Sequence, residues 1–191
     1  MAARELGNVL LTIARSAIAD KFALPAPPGP THAALSEPGA TFVTLKRAGE
    51  LRGCIGSVRP VRPLGVDVRA NAIGAAFGDP RFPPLTAFEF DSVKVEVSLL
   101  TAAEPIDAID EDDLLARLRP GLDGLILQLG QRRATFLPQV WDALPDPREF
   151  VAALKQKAGL PAEFWSPQLN VSRYGVTKWV ESDFNLPVLQ P

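Results

Sequence analysis

The chain is poor in the residues that build metal and redox centres, with one cysteine, Cys54, and one histidine, His32, among 191 residues. No zinc site can be assembled from nitrogen and sulfur ligands alone, no iron–sulfur cluster can be held within the chain, and no internal disulfide can close. A single unpaired thiol fits a reducing compartment. Nor does any hydrophobic run approach the about 18 residues of a membrane span, and Glu5 interrupts any signal-peptide core in the opening MAARELGNVLL. These absences point to a cytoplasmic protein with no membrane partner. Phosphate-binding glycine loops, dinucleotide fingerprints and HExxH are missing as well, so no metal and no cofactor is implied. Net charge is −2, and overall charge gives no reason to expect nucleic acid.

What remains is ordinary globular material, 47% hydrophobic and 22% charged, enough for one compact domain or two small lobes sharing a core. Charge is uneven along it. Between Lys46 and Arg81 lie Lys46, Arg47, Arg52, Arg59, Arg62, Arg69 and Arg81 against Glu50, Asp67 and Asp79, whereas 104–113 is acidic without a base. The acidic run reads as a solvated loop and a helix N-terminus, where carboxylates suit the dipole. The basic stretch brackets Cys54 and is the better functional lead.

Leu6, Val9, Leu10, Ile13 and Ala17 form one apolar stripe and predict a helix over about 3–22. A loop rich in proline and glycine follows over about 25–39, with His32 in it. Two β-rich runs over 41–58 flank Arg47–Ala48–Gly49–Glu50 and predict a hairpin. Val66, Ala70, Ile73 and Phe77 then follow helical period, and DPRFPPL at 79–85 breaks it. In 92–101, Val93, Val95, Val97 and Leu99 alternate with Lys94, Glu96 and Ser98, a strand with one apolar and one polar face. A second hairpin over 125–139 turns near Gly130. A helix over 146–159 follows, with Asp146 to cap it, Pro147 at its first position and Gly159 to stop it. A further strand over about 171–181 precedes a proline-flanked coil. The order hairpin–helix thus occurs twice, and it predicts an α+β fold with mostly antiparallel strands.

The block FVTLKRAGELRGCIG at 42–56 resembles the hallmark of the AMMECR domain family, whose bacterial and archaeal members are called AmmeMemoRadiSam system protein A. PVRPL (60–64), DPRFPPL (79–85), VEVSLLT (95–101), GLDGLIL (121–127), FLPQVW (136–141) and KAGLP (157–161) follow in the family's order, so the resemblance covers about 6–184. It implies a single AMMECR-type domain over 1–191, with larger and smaller lobes packed together and a barrel-like sheet built from two repeats. It also implies association with a radical-SAM protein and a Memo-type protein. It implies no agreed reaction. Family members often carry a second cysteine before the KAGL block, where this chain has Lys155–Gln156.

Strand alternation puts Arg52 and Cys54 on one face of LRGCIG, one pleat apart, so the guanidinium would favour a thiolate. Gly53 and Gly56 clear space for a ligand or for another backbone. Asp79 and Arg81 lie on a loop able to reach the same place, and the set resembles an acyl- or alkyl-transfer nucleophile in an anion pocket. The opposing reading is a small buried thiol at a tight packing contact. Arg52 serves either an anionic ligand or a cross-sheet carboxylate such as Glu96. Gln139 can orient a ligand or simply end a strand. Two function classes follow. The first is a non-catalytic accessory protein with a ligand or partner site at 52–56 and 79–84; the second is a Cys54-dependent enzyme acting on an anionic small molecule or peptide. RNA binding through the Arg-rich stretch ranks below both, because Phe42 is the main strand-borne aromatic available for stacking.

Overall fold

The computed structural model of the protein describes residues 2–25 and 29–184. The middle of the proline-rich loop and the C-terminal coil lie outside the described residues. In chain order the elements are α1 (Ala2–Ala19), β1 (Pro38–Gly39), β2 (Thr41–Arg47), β3 (Glu50–Gly56), β4 (Arg62–Pro63), α2 (Leu64–Phe77), α3 (Ala87–Phe90) and β5 (Val93–Leu100). There follow β6 (Glu104–Pro105), α4 (Glu111–Arg117), β7 (Gly124–Leu129), β8 (Arg132–Phe136), α5 (Pro147–Lys157), β9 (Asn170–Tyr174) and β10 (Val176–Val180). The α+β, antiparallel architecture expected from the doubled hairpin is the one formed. Two compact units divide the chain, Met1–Leu100 with Thr177–Pro191, and Thr101–Val176.

In the first unit β2 pairs antiparallel with β3 on one side and β5 on the other, and β10 flanks β5. The hairpin closes through Ala48 and Gly49, both at positive φ (+50° and +87°), the backbone twist that two-residue turns need. Inward-facing Val43, Leu45, Val93, Val95 and Val97 meet Leu10, Leu11 and Ile18 of α1 and Val68 and Ala72 of α2 in one core. The α1 stripe read from the sequence lies on the core-facing side, with Val9, Leu10 and Ala17 buried and Leu6 and Ile13 partly so, while Leu11, Ala14 and Ile18 widen the buried face beyond it. The α2 stripe is not the one the spacing predicted. Val66 is exposed, and the buried face runs through Leu64, Asp67, Val68, Asn71, Ala72, Ala75 and Ala76. Two of these are polar, which hid the periodicity.

They are buried because they satisfy each other and their surroundings. The Asp67 carboxylate, with no solvent exposure, accepts from the Thr41 amide (2.8 Å), the Thr41 hydroxyl (2.7 Å), Arg62 Nε (2.8 Å) and Asn71 Nδ2 (2.9 Å), and also from the Ser57 hydroxyl. One side chain thereby ties α2 to the start of β2 and to both ends of the 57–63 segment.

The second unit repeats the plan. A helix, α4, precedes the hairpin β7–β8; α5 follows it, and β9 returns to pair with β7 on the side away from β8. Sheet order is β6-β9-β7-β8, matching β10-β5-β2-β3 position for position. Asp146 Oδ1 accepts from the amides of Arg148 and Glu149 and caps α5, as its spacing predicted. Trp141 is buried, stacks on Phe150 at 3.8 Å and donates its indole N–H to the Asp123 carbonyl, so it is a core anchor. The single strand expected over 171–181 is in fact two. Gly175 separates β9 from β10, and the two join different sheets.

Candidate functional site

LRGCIG occupies β3, the outermost strand of the first unit's sheet. Cys54 stands opposite Thr44, whose hydroxyl donates to the thiol at 3.2 Å. On the far side of β2, Thr44 stands opposite Glu96. Thiol, hydroxyl and carboxylate thus form a transverse row across three strands on the face opposite the core. Cys54 is half-buried, neither sealed in the core nor open.

The outward edge of β3 is met by the DPRF segment. Asp79 Oδ2 accepts the Cys54 amide at 2.8 Å, and Arg81 Nη2 donates to the Cys54 carbonyl at 3.4 Å. Arg81 also grips Asp79 through a two-pronged pair, Nε to Oδ1 at 2.9 Å and Nη2 to Oδ2 at 2.7 Å, while its own amide bonds Oδ1. The Arg81 fork, helped by the two amides and opposed by burial, holds the Asp79 carboxyl well below the usual carboxylate range. Asp79 is 5% exposed; the Arg81 side chain is 55% exposed. The loop between them is the turn that Asp-Pro predicted, with the Phe82 amide bonding the Asp79 carbonyl.

Arg52 departs from the expected alternation. Pairing slips by one residue there, with Gly53 opposite Leu45 and Leu51 opposite Lys46, so Arg52 is the extra residue of a bulge. Its guanidinium runs to Glu89 (Nε to Oε1 at 3.0 Å, Nη2 to Oε2 at 3.1 Å) and to the Pro83 carbonyl at 3.1 Å. The carboxylate expected for it, Glu96, instead holds Lys46 (3.1 Å) and Lys178 (2.7 Å). Burial works against ionisation of Glu96, but the two ammoniums outweigh it and its pKa is lowered. The Phe82 ring lies beneath both arginines, 6.0 Å from Arg52 Cζ and 5.6 Å from Arg81 Cζ.

Glu89 was legible only as the end of a Thr86-x-x-Glu89 capping box, which it completes on α3. Arg52 first, then the Thr86 amide, lower its pKa from 4.5 to about 2, burial opposing. A depressed folded-state pKa contributes stability that is fully present above 4.5 and drains away as pH falls toward about 2. Acid unfolding followed by circular dichroism should therefore be steeper between those values in the parent than in Glu89→Gln. Parallel acid limbs would remove the pairing from the stability account.

The two glycines answer the packing reading. A Cβ on Gly53 would sit 2.1 Å from the Ala75 carbonyl oxygen of α2, and one on Gly56 2.3 Å from the Phe42 ring. The room beside Gly53 is filled by another backbone, and that beside Gly56 by an aromatic ring. Cys54, Asp79, Arg81 and Arg52 are therefore gathered around one strand edge, with Glu96 two strands further along the outer face. Gln139 lies exposed on the turn Pro138–Asp142 of the second unit. Sequence reasoning missed Thr44, Glu89 and the Asp67 cluster. Among the described residues no group of three or more His, Cys, Asp or Glu side chains gathers to hold a metal, and no helix is long and apolar enough to cross a membrane.

A profile of the AMMECR1 family matches residues 11–179. A protein of Thermofilum pendens is 38% identical over 193 residues, covering 93% of this chain and 91% of its own length. A protein of Methanothermobacter thermautotrophicus is 45% identical over 139 residues, 70% of each chain. The crystal structure of an uncharacterised protein, PH0010 of Pyrococcus horikoshii, superposes with a TM-score of 0.78 at 35% identity, covering 91% of this chain and 90% of that one. None of the three is named for an activity.

Proposed function

The chain belongs to the AMMECR1 family, and from that premise we propose that it is a non-catalytic binding component, offering the edge of β3 and the DPRF loop to a small anionic ligand or a protein partner. The observation that carries this reading is the state of Asp79. Both its oxygens are bonded, by Arg81 and by the Cys54 and Arg81 amides, and it is held ionised, so it cannot take a proton from the thiol beside it. What the segment does offer is the Arg81 guanidinium, fixed by Asp79 through Nε and Nη2 and half-exposed over an aromatic ring, with Nη1, which those bonds do not use, to donate to an anionic group. The partners we assign are the radical-SAM and Memo-type proteins implied by the family resemblance, in a cytoplasmic setting.

Co-purification of the full chain with those two proteins tests the assignment. Arg81→Gln should weaken capture about tenfold, the scale of one charged hydrogen bond, and Cys54→Ser should leave it unchanged. Capture that survives Arg81→Gln would move the docking surface elsewhere. A second reading, a Cys54 nucleophile acting on an anionic small molecule or peptide, draws on the half-buried thiol and the hydroxyl that donates to it. Slow, denaturant-dependent alkylation of Cys54 by iodoacetamide in the native protein would count against this second reading.

A further inference from the structure

The outer face of the first unit's sheet carries a charge arrangement that the DPRF reading leaves unused. Lys46 on β2 and Lys94 on β5 stand directly opposite one another, a like-charge cross-strand pair, which costs stability where it occurs. Lys178 on β10 approaches from the other side, and Glu96 holds the Lys46 and Lys178 ammoniums on its two oxygens at 3.1 and 2.7 Å. Glu96 is 7% exposed, whereas the side chains of Lys46 and Lys178 are 38% and 48% exposed and Lys94 is exposed. Glu96 is the only acid among the described residues that β2, β5 and β10 turn to this face, and Lys94 has no ion-pair partner among the described residues. Three cations against one anion leave a net of two positive charges on a patch three strands wide.

A solvated lysine face would let long side chains splay apart. Here a buried carboxylate underneath pins two of them, which removes much of the ordering cost that a ligand would otherwise meet. We propose that Lys46, Lys94 and Lys178 form an oxyanion site on the sheet face, taking a phosphate-bearing small molecule with at least two negative charges. A phosphate group fits because it carries close to two charges at neutral pH and several acceptor oxygens, enough to bridge ammoniums that one carboxylate already holds together. A monocarboxylate would neutralise only half the excess. The site stands apart from Arg81 and does not rest on the binding reading above.

Inorganic pyrophosphate is the probe, titrated calorimetrically into the full chain at low ionic strength. Saturable binding is expected, weakening as sodium chloride is added. Each of Lys94→Gln and Lys178→Gln should weaken it about tenfold, one charged contact each. Lys21→Gln, at an exposed lysine on the turn Asp20–Phe22, should leave it unchanged. Acetate should not compete at equal concentration. No heat at ~10 mM pyrophosphate, a concentration well above the Kd of any specific site, overturns the proposal, and so does binding by the Lys94→Gln and Lys178→Gln variants equal to that of the parent. Loss on Arg81→Gln alone would assign the anion to the DPRF loop instead.

Discussion

Gly53→Ala is expected to cost about 3 kcal/mol, at the upper end of overpacking effects, and to lower the melting temperature by roughly 6–12 °C on the usual scale for a chain of this size. The added methyl would lie 2.1 Å from the Ala75 carbonyl oxygen. That atom is main chain within α2, not the tip of a flexible side chain. The helix cannot yield locally either, because Gly74, one residue earlier, already has Ile55 Cγ2 only 3.0 Å from the place of its own missing Cβ. Relief requires moving α2 bodily off the hairpin, and α2 is tied to β2 through Asp67 and Asn71. A thermal melt by circular dichroism decides it; an unchanged midpoint would mean that α2 floats on the strand and that Gly53 has some other reason to be glycine.

Asp67→Ala should be at least as damaging, about 3–5 kcal/mol, the range for removing one member of a buried charged network. Five donors lose their acceptor together. One is the Thr41 amide, in a residue with no solvent exposure, which loses its acceptor where bulk water does not reach. The other end of the ion pair predicts a contrast. The Arg62 side chain is 36% exposed, so Arg62→Ala should cost only about 1 kcal/mol, as for surface pairs. Urea unfolding of both variants reads the asymmetry, and equal losses would refute the hub role given to Asp67.

How much of this was legible depends on where a residue's reason for being there lies. Asp146, Pro147 and Gly159 act on their own neighbours in sequence, and the helix between them came out as read. The alternation of Val93, Val95 and Val97 against Lys94 and Glu96 was equally local, and it was right. Arg52 was misplaced because a bulge changes facing without changing composition, and its partner Glu89 lies 37 residues away. The α2 face was misread because a hydrophobic period counts Asp67 and Asn71 as solvent-facing, whereas their donors and acceptors are supplied by Thr41 and Ser57 from another element. Cys54 and Arg81 could be named as neighbours from the chain. That Asp79 would spend its carboxylate on the Cys54 amide could not, since that bond belongs to the edge of a sheet that exists only once the chain has folded.

That same edge bears on how the protein behaves among copies of itself. An outermost strand with a bare amide and carbonyl is a template on which another molecule's strand can register, the first step toward aggregation. At Cys54 both groups are already occupied, the amide by Asp79 and the carbonyl by Arg81, so two side chains stand where an intruding backbone would bind. The second unit does the equivalent on its own outer strand, where Lys157 donates to the Thr135 carbonyl at 3.0 Å and lies over the Phe136 ring. The DPRF loop therefore blocks strand addition at Cys54 on this edge, whatever else it recognises.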